Sequence, residues 1–595
     1  GTAVWPHGDD TPIAKTVTYA NSGTGDITLQ LSVKGTGLEL FSLSASSVTV
    51  PAGGTASVTF TADTRVDVPD GLYSGQLVGT ADGVSVSVPF GVEKEAESYT
   101  LTLDHIGRDG TPSTDHATDL VSEAGAFLSV WGSQTSIRIP AGRYFLITHV
   151  WGENGEMTTL VHPKLILDKD TTQVLDARIA KPVTITSAGG AFDEGELSTD
   201  VRFQPTPDFS FSFSAGGMAS RGYYTGQVTG EKVTDVRTNV SAFLWQNGPD
   251  GDHVDAPVFH YGIWRAADTF PTGYTARIGA NGLATQKAVY RENVPGATGV
   301  AFTFAFTNPD DGAWATGLPF HTPLHRTIYY DTAGYYGSNF DEMVEDGMEI
   351  THWATQSDVT RRYGPGKTPK VTWNGGAFGP AFGSPASPVD FVTRRGDLLI
   401  VNAPLFGDGA GHPGWGTYAS ASAKLYRNGV LIADEQTPWL ELEVPAEEAE
   451  YRVELSVTRD ARLGSAISGA WTFRSGHTDP DGPNYGFVRL PVTSVGFAPE
   501  LDDRNYAAAS PVAMVPVVVG THSGIETPAL RRLEVEISTD DGKKWKSVAV
   551  VRTPSGGWYA FVPHKAGTFV SLRVHGVDAS GHTVDETLIR AYQVR

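Results

Sequence analysis

Apolar and polar residues alternate along this chain from end to end. That feature confines it to β structure, because successive side chains of a strand face opposite ways. Val84, Val86 and Val88 alternate with Ser85 and Ser87, and Phe209, Phe211 and Phe213 alternate with serines. Leu533, Val535 and Ile537 alternate with Glu534, Glu536 and Ser538. Asx-Gly pairs punctuate the runs at Asp82-Gly83, Asp109-Gly110, Asn281-Gly282, Asn428-Gly429 and Asp541-Gly542. Such pairs accept positive φ and suit tight hairpins. Residues Asn339 to Met348 (NFDEMVEDGM) form the best helix candidate, which Gly347 would end early. The expected class is all-β, as tandem β-sandwiches with little helix.

At about 150 residues per domain, the 595 residues suggest about four domains, and the composition shifts mark five segments. Residues 1–93 read as a fibronectin-III-like sandwich, closed by the polar joint Glu93 to Glu97. Residues 94–187 read as a transthyretin-like sandwich. Residues 188–383 form a larger, irregular β domain that holds most of the aromatic clusters. The stretch Gly376 to Pro388 (GAFGPAFGSPASP) reads as a linker. Residues 384–478 and 479–595 read as two immunoglobulin-like sandwiches.

A net charge of −23 argues against nucleic acid and against an anionic membrane surface as partners. No run of about 20 apolar residues encodes a membrane span. The absence of cysteine removes disulfides, thiolate metal sites and a cysteine nucleophile. The opening residues GTAVWPHGDD are not a signal peptide, and the lack of an initiator Met suggests a processed or excised piece.

Several words, in this order, carry a resemblance: WPHGDDTPIAKTVTYANSG (Trp5 to Gly23), VPAGGTASVTFTADT, DGLYSGQLVGT, YTLTLDHIGRDG, RRYGPGKTPKVTWNGGAFGPAF (Arg361 to Phe382), PLFGDGAGHPG (Pro404 to Gly414), AWTFRSGH (Ala470 to His477), STDDGKKW (Ser538 to Trp545) and VSLRVHGVDASGHTVDETLIRAYQVR (Val570 to Arg595). Together they resemble the non-catalytic C-terminal region of large secreted actinobacterial subtilisin-like serine peptidases. Residues 200 to 350 are the part least covered. In that family the Ser-His-Asp triad lies in a separate upstream domain, and its HGTHVA-like and GTSMA-like signatures are absent from this sequence. GGMASRG at Gly216 lacks the Thr-Ser pair, and no G-x-S-x-G elbow occurs. No catalytic residue is carried over. The resemblance implies a secreted, accessory role. The modules would dock on a subtilisin-like catalytic domain through residues near Trp5 to Asp10, recruit polypeptide substrate and stabilise the enzyme.

Three other chemistries compete. Trp245, Tyr261, Trp264, Trp314, Trp353 and Trp373 crowd the middle segment. Exposed, they would stack on sugars or grip extended peptides, as in a carbohydrate- or cell-wall-binding module; buried, they fill a core. Calcium is possible at the loop acids Asp250 and Asp252, Asp310 and Asp311, and Asp479 and Asp481, whose hard oxygens cluster without EF-hand spacing; Asp-Gly turns explain them equally well. His321 and His325, with His352, Asp341 and Glu342 downstream, could bind zinc, but Pro323 interrupts a helical ligand pair. Exposed strand edges could capture extended peptides by β-addition, although nothing in the sequence marks which edge. A structural spacer and an independent hydrolase sited in 188–383 are the remaining alternatives.

Overall fold

The computed structural model describes residues 1–266, 270–309, 315–346, 349–383, 391–522 and 529–595; for 345, 346 and 349–353 it describes the backbone. The chain is all-β, in tandem β-sandwiches, with short 3-10 turns as its only helix among the described residues. None of that helix is long and apolar enough to cross a membrane.

The first module packs a five-stranded sheet on a three-stranded one, with Leu29, Leu31, Val50, Val58 and Leu77 between them. Trp5 packs edge-on against Tyr99 at 5.3 Å. Arg138 donates to Glu95 at 2.9 Å and to the Trp5 carbonyl at 3.0 Å. Trp5 is therefore held by the neighbouring module, while Pro6, Gly8 and Asp9 are exposed.

Residues 98–373 build a stack of four sheets. A three-stranded sheet packs on a seven-stranded one through Leu101, Leu103, Leu120, Leu146 and Leu160. The other face of the seven-stranded sheet packs on an eight-stranded sheet through Phe145, Val161, Phe203 and Phe213. The eight-stranded sheet in turn covers a five-stranded one through Phe259, Tyr261, Phe320 and Phe340. The central strands of the two inner sheets are covered on both faces, so they are buried at consecutive positions: Tyr144 to Ile147, Met157 to Pro163, and Thr238 to Trp245; the outlying strands Lys181–Ser187, Phe209–Met218 and Tyr274–Ile278 keep a wet face. The expected boundary at 187/188 does not separate sheets. Tyr223–Gln227 and Tyr274–Ile278, from the middle segment, complete the seven-stranded sheet.

Asn339 to Met348 is not a helix. Its described residues belong to the strand Tyr335–Asp346, which pairs on one side with Thr298–Phe306 and on the other with Glu349–Arg362. Tertiary pairing overrides the helix propensity of the Glu/Asp/Met run. Glu342 is buried and accepts from the Asn293 and Val294 amides at 3.1 and 3.0 Å, so it is no solvent-facing helical acid.

The described part of the expected linker is also structured. Ala377, Phe378 and Phe382 are buried in the C-terminal core. The Gly376 amide donates to Asn505 at 3.0 Å. Glycine is required at 379, where a Cβ would stand 2.7 Å from Leu588.

The last two sandwiches share one nine-stranded sheet. Their seam is the antiparallel pairing of Ala466–Ser475 with Thr583–Val594, from Ala466↔Ile589 to Trp471↔Val584. Trp471 lies under the seam, fully buried, and donates to the Thr493 carbonyl at 2.9 Å. Gly469 leaves the indole its room, since a Cβ there would lie 2.1 Å from the ring.

Candidate functional site

The outer face of the nine-stranded sheet forms an open trough of about 920 Å³ across the seam. Register aligns two rows of side chains along it. One runs Asp434, Lys424, Glu454, Ala470, Asp585, His575, Glu534. The next, two residues along each strand and so on the same face, runs Ser422, Ser456, Ser468, Thr587, Arg573, Glu536, Ser547. Small residues (Ser456, Ser468, Ala470, Thr587) make the floor at the seam, and long charged ones rise on both sides. The depression is thus a consequence of side-chain size.

The charges are paired across strands. Arg452 donates to Glu454 at 2.8 Å and reaches across the seam to Asp585 at 3.3 Å. The other Asp585 oxygen meets His575 Nδ1 at 2.6 Å. Arg573 donates to Glu536 at 2.8 Å, and its guanidinium lies 4.7 Å from the centre of the Trp545 ring. Beneath the floor Glu586 points inward, where it accepts from the Val495 amide at 3.1 Å. Burial holds its carboxyl well above the usual range. The trough therefore offers cations, carboxylates and hydroxyls side by side, within reach of solvent. Contacts made to such solvent-screened groups are individually weak.

The residues expected from sequence lie elsewhere. Trp245, Tyr261 and Trp373 are only 3–4% exposed. Phe243 stacks on Tyr261 at 4.8 Å, and Trp373 stacks on His412 at 4.1 Å. They are core aromatics and offer no ring to a ligand in solution. Trp264 is half-buried against Tyr274. Trp353 sits on the strand Glu349–Arg362, its side chain outside the described residues, as is the whole of Trp314.

Asp252 accepts from the Val254 amide at 2.8 Å, and Asp479 from the Asp481 amide at 3.0 Å, so each closes its own turn. Asp250 and Asp481 are exposed beside them, and Asp310 and Asp311 lie outside the described residues. Among the described residues no three His, Asp or Glu converge to hold a metal ion. His321 pairs with Asp255 and His325 with Asp503, each at 2.9 Å, so the two histidines are held by different acids.

Glu534 and Glu536 stand out as the polar half of an alternating strand. Their alignment with residues more than a hundred positions away depends on the seam register, which no local pattern encodes.

No family model matches the chain, and no curated protein matches it. Solved structures with some likeness include the TIE protein of Bacillus anthracis, at 9% identity and a TM-score of 0.13 over 61% of this chain and 75% of that one. The pilus adhesin SpaC from Lactobacillus rhamnosus GG is 10% identical, at a TM-score of 0.11 over 60% of this chain and 56% of that one. The N-terminal four Ig domains of Dscam1 isoform 8.4 are 9% identical, at a TM-score of 0.08 over 60% of this chain and 94% of that one.

Proposed function

We propose that the chain is an accessory, non-catalytic region of a secreted subtilisin-like serine peptidase, which holds extended polypeptide substrate and docks on and stabilises the catalytic domain. The observation that carries this reading is the trough. Its two rows cross seven strands, which at about 4.8 Å per strand is about 29 Å, room for about nine extended residues. Charges of both signs lie along it, so a mixed-charge polypeptide finds partners at every pitch, while the serine and threonine floor accepts its amides. The ordered words from Trp5 to Arg595 support the peptidase context. The carbohydrate-binding alternative is less well supported, because Trp245, Tyr261 and Trp373 are buried.

The test is fluorescence anisotropy of labelled, reduced and carboxymethylated casein titrated with the purified chain. Saturable binding is expected, weakened at least tenfold in the double variant Arg452→Glu, Arg573→Glu. Added to the catalytic domain, the chain should change the rate or specificity of casein cleavage. No binding, or binding indifferent to the double variant, overturns the trough. Casein hydrolysis or fluorophosphonate labelling by the chain alone overturns the accessory role.

A further inference from the structure

The nine-stranded sheet ends, on the side of the fourth segment, at the strand Val430–Glu435. We propose that this strand captures an extended polypeptide segment as an added β-strand, selecting a segment of alternating aliphatic residues with lysine or arginine at one end. The proposal rests on the polypeptide-holding reading of the same sheet and specifies how the chain is first gripped and which sequences are preferred.

Backbone is the first argument. Val430–Glu435 pairs only with Ser420–Arg427, and its outer row of amides and carbonyls meets no other strand among the described residues. Such a row is a template for a further strand. The turn that presents it is rigid, with Asn428 at φ 48° and Gly429 at φ 77°, both positive as a two-residue hairpin turn demands.

Side chains are the second. Val430, Leu431 and Ile432 are 65%, 45% and 39% exposed, and Trp439, in the short link to the next strand, is 50% exposed. Large apolar residues standing consecutively in water on an open edge are what edge strands ordinarily avoid. Several other edges here are guarded. Val84–Lys94 carries Pro89, Ala315–His321 carries Pro319, Ser136–Pro140 carries Arg138, and Ile13–Ala20 carries Lys15. The exposed Phe127 of Phe127–Trp131 is stacked on Phe211. Val430–Glu435 has neither proline nor a basic residue.

Charge is the third. Asp434 and Glu435 end the strand, and Glu441 and Glu443 lie on the strand that the link enters; all four are exposed. Lys424 approaches Asp434 only to 3.7 Å. Acids closing one end of an aliphatic strand are complementary to an aliphatic segment that carries a basic residue there.

The edge also limits its own strength. The register shifts between Leu425 and Tyr426, leaving Ile432 as the extra residue of a bulge. A guest can pair continuously only on either side of it, so backbone and side chains must act together and release stays fast.

The probe is an eight-residue peptide of alternating valine and threonine flanked by lysines. It is compared with the same peptide methylated at backbone nitrogens on both edges, which keeps its side chains but blocks strand addition from either edge. On adding the unmodified peptide to the full chain, hydrogen exchange at Val430–Glu435 should slow. Binding should weaken about tenfold or more in Leu431→Lys, Ile432→Lys, and be lost with the methylated peptide. Both substitutions are at exposed positions, and a circular dichroism spectrum and thermal midpoint matching the parent establish that the variant is folded. Protection appearing elsewhere, or equal binding of the methylated peptide, overturns the proposal. Casein binding that the trough variant abolishes and the edge variant leaves intact overturns the edge and spares the trough. An absence of binding by both probes overturns both.

Discussion

The four-sheet stack of residues 98–373 and the shared sheet of the C-terminal pair solve the same problem differently. In the stack two sheets are sandwiched between others, so both faces of their central strands are covered. Some polar groups there pair inside: Thr199 with Tyr223 at 2.6 Å, Ser187 with His260 at 2.8 Å. In the C-terminal pair the nine-stranded sheet has one covered face and one wet face, and the wet face carries the charge rows. The difference shows where a binding surface can be. A strand buried on both sides has no face left to present, whereas the open nine-stranded sheet keeps one wet face along its length.

Substitution by aspartate at successive positions is the sharpest way to break that comparison. Along Val240 to Leu244 every position is buried, and each change should destabilise by about 3 kcal/mol or more, because each places an unpaired charge in the interior. Along Tyr451 to Val457 only Tyr451, Val453, Leu455 and Val457 are fully buried, so the cost should return at every second residue. Changes at Glu454 and Ser456 should cost under about 0.5 kcal/mol. Denaturant unfolding followed by segment-resolved hydrogen exchange reads both series. A uniform profile in both strands would dissolve the distinction.

The same contrast explains what could be read from the sequence. Period-two alternation marks a strand with one dry face and one wet one, as Leu533 to Ser538 shows; the alternating valines of 84–88 also announce a strand, although Val84, Val86 and Val88 are exposed. Inner-sheet strands such as Asn239 to Trp245 are apolar or small throughout, and the alternation disappears; this is why residues 188–383 read as irregular. Their aromatics suit a binding surface and a core alike, because composition cannot tell a buried ring from an exposed one. The Gly376 to Phe382 stretch looked like a linker because the glycines that allow close packing are the residues that mark loops. The seam and the trough follow from pairings more than a hundred residues apart, for which a single sequence carries no local sign.

A second test uses one residue type in both places. Arg326 is buried in the stack with its guanidinium 3.7 Å from the centre of the Phe259 ring and 4.8 Å from that of Phe320, and it donates to the Ala256 carbonyl at 2.8 Å. A lysine cannot present a flat cation to both rings, and its ammonium is more costly to dehydrate. Arg326→Lys should therefore destabilise by about 2–3 kcal/mol. A smaller loss would mean that water reaches this site and that the stack is less closed than its burial implies.

Acid separates the regions more gently. In the stack, burial pushes His105 to about 3, with a further push from His116, and holds His149 and His260 at about 4; His116 and His162 are lowered too. Each of the five stays neutral when folded and takes a proton when unfolded below pH 6.5, so each loses stability as pH falls from 6.5 toward its folded value. Asp119, Asp200 (about 6) and Glu342 are raised by burial and act oppositely, binding their protons in the folded state first. The exposed His321, raised by its hydrogen bond with Asp255, joins these three. Five against four, with His105, His149 and His260 lowered furthest, leaves the stack less stable from pH 6.5 down to about 4. In the C-terminal pair His522 and His564 are lowered by burial, while Glu586 is raised by it. His412 is raised as well: burial opposes its charge, and Asp408 outweighs burial. These cancel in number. Hydrogen exchange between pH 7 and 4 should show the stack opening first, and the reverse order would refute the assignment.

The smallest effect is expected at Arg452, the trough's counterpart of Arg326. Arg452→Lys keeps the charge beside Glu454 and Asp585, and the pair is more than a third exposed, so solvent already screens it. The thermal midpoint should hardly move, with a change under about 0.5 kcal/mol. What the lysine loses is the planar fork that reaches a carboxylate on its own strand and another across the seam at once. Affinity for carboxymethylated casein should therefore fall a few-fold while stability stays constant. If stability falls instead and binding does not, the Arg452–Asp585 bridge is a clasp between the two sandwiches and the trough's charges serve the seam.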